Sequence, residues 1–511
     1  MMTGSLRKCW PRSLRMPACT AFFTFMTTLL AVPLTSLTAA AEGAKPGEGG
    51  VVSRRLSAVK AQSSAAAQDG LAASAALRAA VTSDNIMRHL AALQAIADEN
   101  GGNRAAGTAG HEASVDYVAG QLREAGYQVR FETVEIPVVQ ETQPPQLMVA
   151  KESGLELRDF QLRTLPYSAA GSVKAPLRIA GHGCDKGDFA RLSSGSIALV
   201  QRGSCSVWRK VRNAAAAGAA AVIVYDQRSD RMPPTITQRV GEMTAIPGVR
   251  LDHATGTMLA EALRRSPVTM QLNVGTKAVI YRSRNVIAET AVGDPEAVVL
   301  IGAHLDSVPE GPGINDNGTG AAAILEVARQ ISSVGIKTTS KLRFAFWTDE
   351  ENEMLGSHHH ADSLSPDGLK RIMAVLNFDM LGSANYGRFV YDGNGSASEK
   401  AGPPGSEWIE RMFRTYFAAV GLSVAEKPLE DGSDHLSFVE HGVPVGGLLA
   451  GDGEIKSAKE AGMFGGSAGA SYDPCYHEAC DTLDAVNRTG LDELADAAAH
   501  GIIMLGDAVR D

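Results

Sequence analysis

The sequence predicts an α/β protein: a sheet covered by helices on both faces, with a separate β-rich segment set into it. Three features carry this. From residue 283 onward, short apolar runs alternate with helical patterns, as expected for a sheet buried on both faces. Between about 140 and 280 the texture changes to short β-like runs separated by Gly-rich turns. At 511 residues, the chain is also too long for one ordinary core. A hydrophobic content of 44% and a charged content of 21% fit a globular protein. The net charge of -9 argues against nucleic acid as a partner, because phosphate binding needs a basic face.

The elements follow in order. Arg7, Lys8, Arg12 and Arg15 precede the apolar run "AFFTFMTTLLAV", and "PLTSLTAAAEGA" then offers small residues for cleavage near Ala41. Residues 1–41 therefore read as a signal peptide, and the protein as secreted or periplasmic. A retained membrane anchor is the alternative, but the run is short and broken by Thr. Cys19 precedes the apolar run, whereas a lipoprotein cysteine would follow it. No later segment has the unbroken apolar length of a membrane span, so no stable membrane insertion is expected after cleavage. Residues 42–82, rich in Ala, Gly and Ser, read as a linker or pro-segment, with some helix in the Ala-rich runs. "SDNIMRHLAALQAIA" is a capped amphipathic helix. In the next segment Ala113, Val115, Val118, Leu122 and Ala125 share a helical face, Gly126 caps it, and "YQVRFETVEI" alternates as a strand.

Within the insert, "GSIALVQR" and "AAVIVYD" are β-like, and "SVWRKVRNAAAAGA" is helical. Beyond it, "EAVVLIGAH", "KLRFAFWTDE", "MAVLNFDM" and "PVGGLLAGD" each end in acids or His. In sheets of this kind, sites form past the carboxyl ends of the strands.

Four cysteines lie outside the signal region: Cys184, Cys205, Cys475 and Cys480. An even count in an exported chain favours disulfides, and the simplest pairing joins neighbours, Cys184 with Cys205 and Cys475 with Cys480. The stretch "YDPCYHEACD", residues 472–481, nonetheless leaves three readings open: a small zinc knot, a disulfide loop, or a loop presenting His477 alone. Spacing does not decide among them.

The strand ends carry the chemistry. In "GAHLDSV", His304 and Asp306 point the same way on extended backbone, and Asp306 is placed to orient the histidine. Asp316 lies between glycines in "GPGINDNGTG", where a helix cap is the plain alternative. Glu350 and Glu351 are adjacent acids past an apolar strand; crowding them costs repulsion unless a cation or a proton resolves it. "NFDMLGS" puts Asp379 at the end of another buried-looking strand, where a lone charge is costly without a partner. His304, Asp316, Glu351, Asp379 and His477 together suit a pair of zinc ions with one bridging carboxylate, leaving Glu350 spare. The run His358, His359 and His360 is not read as a second metal site, because successive helical residues point apart. Asp434 and His435, in "GSDHLSF", read as a turn on their own.

These motifs resemble the zinc aminopeptidases of peptidase family M28, over most of the chain from about 85 to 505. The resemblance implies a mixed central sheet flanked by helices on both faces, the two-zinc exopeptidase fold, spanning 83–140 and 281–511. It implies two zinc ions per chain, with His304, Asp316, Glu351, Asp379 and His477 as ligands and Asp316 bridging. Glu350 becomes the general base for a metal-held water, Asp306 the acid behind the ligand histidine, and Tyr476 a donor to the reacting carbonyl oxygen. It also implies that "CYHEAC" is a loop closed by Cys475 and Cys480. For Asp434 and His435 it implies, equally with a turn, a place near the substrate cleft. The insert, 141–280, is similar to the protease-associated (PA) domain, whose disulfide Cys184 and Cys205 match; Val207-Trp208 stand where its pattern usually has Phe.

The expected substrates are peptide or protein N-termini. A zinc carboxypeptidase or dipeptidase on the same fold would share every ligand. A glutaminyl cyclase works with one zinc, and an inactive receptor ectodomain would have lost ligands.

Overall fold

The computed structural model describes residues 64–203, 205–226, 244–398, 400–430 and 432–507. The signal-peptide expectation for 1–41 lies outside them.

Three helices lead into the sheet: α1 (Ser64–Ala80), α2 (Ser83–Glu99) and α3 (Ala109–Glu124). Thr82 and Thr108 cap the second and third, their hydroxyl oxygens accepting the amides of Asn85 and His111, each at 3.3 Å. The long strand β1 (Gln128–Val149) leaves this group. β2 (Leu162–Thr164), β3 (Gly171–Ile179), β4 (Ile197–Gln201), α4 (Val207–Ala216), β5 (Ala221–Tyr225), β6 (Gly248–Leu251) and α5 (His253–Arg265) form the insert. β7 (Thr269–Glu289) returns beside β1. β8 (Asp294–His304), α6 (Gly320–Val334), β9 (Ser340–Trp347), α7 (Leu355–Ser363), β10 (Ile372–Phe378), β11 (Phe389–Tyr391), α8 (Ser406–Ala419), β12 (Ala425–Lys427), β13 (Val445–Leu449) and α9 (Arg488–Gly506) complete the chain.

The strands form a mixed sheet in the order β12-β11-β13-β10-β8-β9-β7-β3-β4-β5-β6-β2, with β1 on β7. β9, β8, β10 and β13 run parallel, so their carboxyl ends share one edge. Alternate residues bury on opposite faces: Val299 and Ile301 pack under α6, α8 and α9, while Leu300, Ala345 and Trp347 pack with Phe438 on the other side. In the insert, Leu199 and Ile223 share one core and Val200 and Val224 the other.

Two features refine the sequence reading. The insert's boundaries near 140 and 280 fall inside β1 and β7, which pair continuously there, Gln140 opposite Lys277 and Ile136 opposite Tyr281. β7 pairs with β9 through Val286–Glu289 and with β3 through Thr269–Val274, so one strand serves both bodies. Of residues 42–82, expected as a linker or pro-segment with some helix in its Ala-rich runs, Ser64–Ala80 is described. That segment is a helix against α9, with Leu77 fully buried and Ser74 Oγ 2.9 Å from His500 Nδ1. Its Ala-rich composition favours helix, and an apolar face to dock on stabilises it.

Candidate metal centre

Three of the four parallel strands, β8, β9 and β10, deliver their acids and histidine to one place. His304 is the last residue of β8 and is opposite Trp347, the last of β9. Glu350 and Glu351 follow in a turn rather than at a helix start: Asp349, Glu353 and Met354 take φ of 60°, 84° and 59°. Asn352 Nδ2 donates to Asp349 Oδ1 at 2.7 Å inside that turn. Asp379 directly follows β10. Its Oδ2 accepts from Ser433 Oγ at 2.7 Å, and that hydroxyl accepts from Asn377 Nδ2 at 2.8 Å.

Asp316 sits at the middle. Its Oδ1 is 3.3 Å from His304 Nε2, and its Oδ2 is 3.1 Å from His477 Nε2. His304 Nε2 is also 3.3 Å from Asp379 Oδ1 and 4.0 Å from Glu350 Oε2. His477 Nε2 is also 3.1 Å from Glu351 Oε2. The five ligands expected from sequence thus fall into two groups, His304 with Asp379 and His477 with Glu351, sharing Asp316.

The disulfides Cys184–Cys205 and Cys475–Cys480 are both present. The second closes the loop around His477, which takes φ of 59°, in the left-handed region that few residues other than glycine occupy. Two acids outside the ring anchor that loop to the Asp316 segment. Asp481 accepts the amides of Asn315 and Asp316 at 2.7 and 3.0 Å, and Asp473 Oδ2 accepts from Asn315 Nδ2 at 2.6 Å. Tyr476 stacks on the His477 ring, with centroids 3.9 Å apart.

Asp306 touches both His304 and Glu350. His304 Nδ1 is 3.3 Å from the Asp306 carbonyl and 3.7 Å from its carboxylate, so the backbone oxygen is the nearer acceptor. The carboxylate instead accepts the Glu350 amide at 3.2 Å.

The electrostatics are those of a cation site. Burial raises Glu351 to about 7, with Asp316 adding to the effect. Burial also lifts Glu350 well above the carboxylate range; His304 opposes the rise, while Asp434, Asp379 and Glu351 reinforce it. Burial works against charging the histidines, but their carboxylate neighbours overrule it, and His477 is held up to about 11. Three buried atoms at the centre, His304 Nε2, Glu351 Oε1 and Asp379 Oδ1, make no hydrogen bond. Ligand atoms of His304, Asp316 and Glu351 lie within 4.8 Å of one another. Buried polar atoms left unbonded at the meeting point of N and O donors fit zinc.

Other candidates resolve differently. His360 is buried with its Nδ1 3.0 Å from both oxygens of Glu132, so that ring is already engaged. Asp434 is buried, neither carboxylate oxygen makes a hydrogen bond, and burial pushes it up to about 7. His435 Nε2 is 2.8 Å from the Leu429 carbonyl. A second acidic group, Asp392, Glu410 and Glu426, is structural: Asp392 accepts the amides of Gly395, Ser396, Ala397 and Ser398.

Sequence reasoning passed over Ser433, Asn377, Asp473, Asp481 and Arg104. Asn377 in "NFDM", Ser433 in "GSDHLSF" and the two acids bracketing the CYHEAC loop stood in stretches already singled out, but for other residues; Arg104 stood in none.

The chain is similar to known proteins over most of its length. A sequence model of peptidase family M28 matches residues 285–502, and one of the PA domain matches 170–259. An aminopeptidase of Pseudomonas aeruginosa is 40% identical over 433 residues, covering 81% of this chain and 79% of its own. A probable lipoprotein aminopeptidase of Mycobacterium tuberculosis is 39% identical, covering 81% and 83%. Among solved structures, an aminopeptidase from Aneurinibacillus sp. strain AM-1 superposes with a TM-score of 0.70 at 27% identity, covering 85% of this chain and 96% of its own. A zinc aminopeptidase from Bacillus subtilis superposes with a TM-score of 0.62 at 28% identity, covering 83% and 95%.

Proposed function

The chain belongs to peptidase family M28, and from that premise we propose that it is an exported zinc aminopeptidase that removes the N-terminal residue of peptides and holds two zinc ions. The observation that carries the two-ion reading is the shared carboxylate: each oxygen of Asp316 faces a different histidine. His304, Asp379 and Asp316 would hold one ion, and His477, Glu351 and Asp316 the other. Bound zinc supplies a Lewis acid and lowers the pKa of a water.

The remaining roles belong to the chain. Glu350, 15% exposed in its side chain and made more basic than an ordinary carboxylate by burial, takes a proton from the attacking water and returns it to the departing amine. Asp306 holds Glu350 through its amide and lies beneath His304, so base and ligand share one support. Tyr476 keeps its proton, because burial and the carboxylates of Asp316, Glu351 and Glu350 push its pKa upward; it donates to the oxygen of the scissile carbonyl. Residues 83–140 and 281–511 carry the chemistry, α1 docks on them, and 141–280 form the PA insert. Export, with 1–41 as signal peptide, is supported by the two disulfides. Among the described residues no helix is long and apolar enough to cross a membrane.

The test pairs metal analysis with substrates. Purified protein should carry about two zinc ions and lose activity to a chelator. It should cleave peptides with a free amino terminus and spare N-blocked ones. Full activity without metal refutes the zinc reading; cleavage of N-blocked peptides from the carboxyl end refutes the aminopeptidase reading.

A further inference from the structure

Arg104 lies in the turn between α2 and α3, far in sequence from every expected ligand, and it is fully buried. Its guanidinium divides among three carbonyls of a single loop. Nε donates to Pro312 O at 2.9 Å, Nη2 to Gly313 O at 2.6 Å, and Nη1 to Leu305 O. Its own amide donates to Ser307 Oγ at 2.9 Å. The loop is the one that runs from His304 and Asp306 to Asp316.

The loop is also in close contact with the second ligand loop. A Cβ on Gly311 would stand 2.3 Å from the carbonyl of Glu478, next to His477. A Cβ on Gly313 would stand 2.4 Å from both Ser307 Cβ and the Asp316 carbonyl, and 3.3 Å from Arg104 Nη2. Arg104, the 305–313 loop and the disulfide loop are therefore stacked with no slack between them.

We propose that Arg104 is the positioning residue of the metal centre: its three-way grip on the 305–313 loop sets the distance between the His304 and His477 sides of Asp316. This rests on the zinc reading above. Planar donors are needed because the loop's two ends, Leu305 and Gly313, must be held at once, and a guanidinium presents separate N–H groups to each. Charge alone does not explain the choice. A fixed cation near a zinc site opposes zinc binding, so removing it for electrostatic reasons would tighten the metal, whereas losing the grip loosens it.

Arg104→Lys separates the two, since it keeps the charge and loses the fork. Zinc affinity is read by competition with a chromophoric chelator, alongside kcat and thermal unfolding of the zinc-loaded protein. We expect zinc binding at least tenfold weaker than wild type, with kcat lowered in parallel and largely restored by excess zinc. Arg104→Met should be no better than Arg104→Lys. A lowered melting temperature with unchanged zinc affinity and kcat overturns the proposal and leaves Arg104 a stabilising residue only. Zinc binding in Arg104→Met equal to or tighter than in wild type also overturns it. If neither variant folds, Ser307→Ala decides, because it removes the Arg104 amide contact and the Ser307 hydroxyl bond to Gly311 O at 3.0 Å. A several-fold loss of zinc affinity supports the proposal, and an unchanged affinity refutes it. Wild-type protein that binds no zinc would sink the zinc reading itself, a different outcome from either.

Discussion

Asp306 accepts the backbone N–H of Glu350 at 3.2 Å. One buried acid thus ties the strand end that carries His304 to the turn that carries both adjacent glutamates. The two glutamates then diverge: Glu350 Oε2 lies 4.0 Å from His304 Nε2, and Glu351 Oε2 lies 3.1 Å from His477 Nε2.

That divergence separates their roles. Glu350→Gln keeps size and polarity but cannot accept a proton. It should retain zinc and lose on the order of 10²-fold or more in kcat. Glu351→Gln removes an anionic ligand and should lower zinc occupancy as well as rate. Metal content and kcat of both variants check this. Zinc loss from Glu350→Gln with retention by Glu351→Gln would exchange the roles.

Tyr476 is held by its stack on His477 and stays a hydrogen-bond donor at neutral pH. Tyr476→Phe should therefore lower kcat on the order of 10²-fold, as for loss of one oxyanion donor, with KM and zinc content unchanged. An intact kcat would show that the hydroxyl does not reach the reacting oxygen.

The disulfides should separate stability from activity. Cys184 and Cys205 are 21 positions apart and lie in the insert. Replacing both with Ser should cost about 3 kcal/mol and leave kcat unchanged. Cys475 and Cys480 are 5 apart, and their replacement should cost only about 2 kcal/mol but release His477. Denaturant unfolding and zinc titration of the two double variants test the contrast, and equal zinc affinity in both would remove the loop from the mechanism.

Acid stability has an identifiable contributor in His500. Burial, with Arg78 nearby, lowers it from 6.5 to about 4. Between those values the unfolded chain binds a proton that the folded chain refuses. The stabilisation is thus full above about pH 6.5 and is lost as pH falls toward 4, amounting to at most about 3 kcal/mol. His500→Gln should flatten the pH dependence of unfolding over that window relative to wild type. Parallel curves would mean that His500 does not titrate there.

Much of this protein is readable along the chain. The candidate ligands His304, Glu351 and Asp379 stand out because a short apolar run ending in ionisable residues is a local pattern; Asp316 stands out in a Gly-rich turn before a helix, and His477 between two close cysteines. The cysteines form the simplest pairing, neighbour with neighbour, and the changed texture between about 140 and 280 contains the segment that matches the PA domain, 170–259. Other relationships are invisible in one dimension. That the two oxygens of Asp316 face different histidines depends on the packing of two loops. So does the grip of Arg104 on Leu305, 201 positions away, and of Asp481 on the Asp316 amide, 165 away. An arginine among turn glycines and an aspartate after a cysteine have no local signature, because their partners are backbone groups that come within reach only when the sheet has brought its strand ends together. Residues 64–80 follow the same rule: composition allows a helix there, but only the face of α9 decides that it docks.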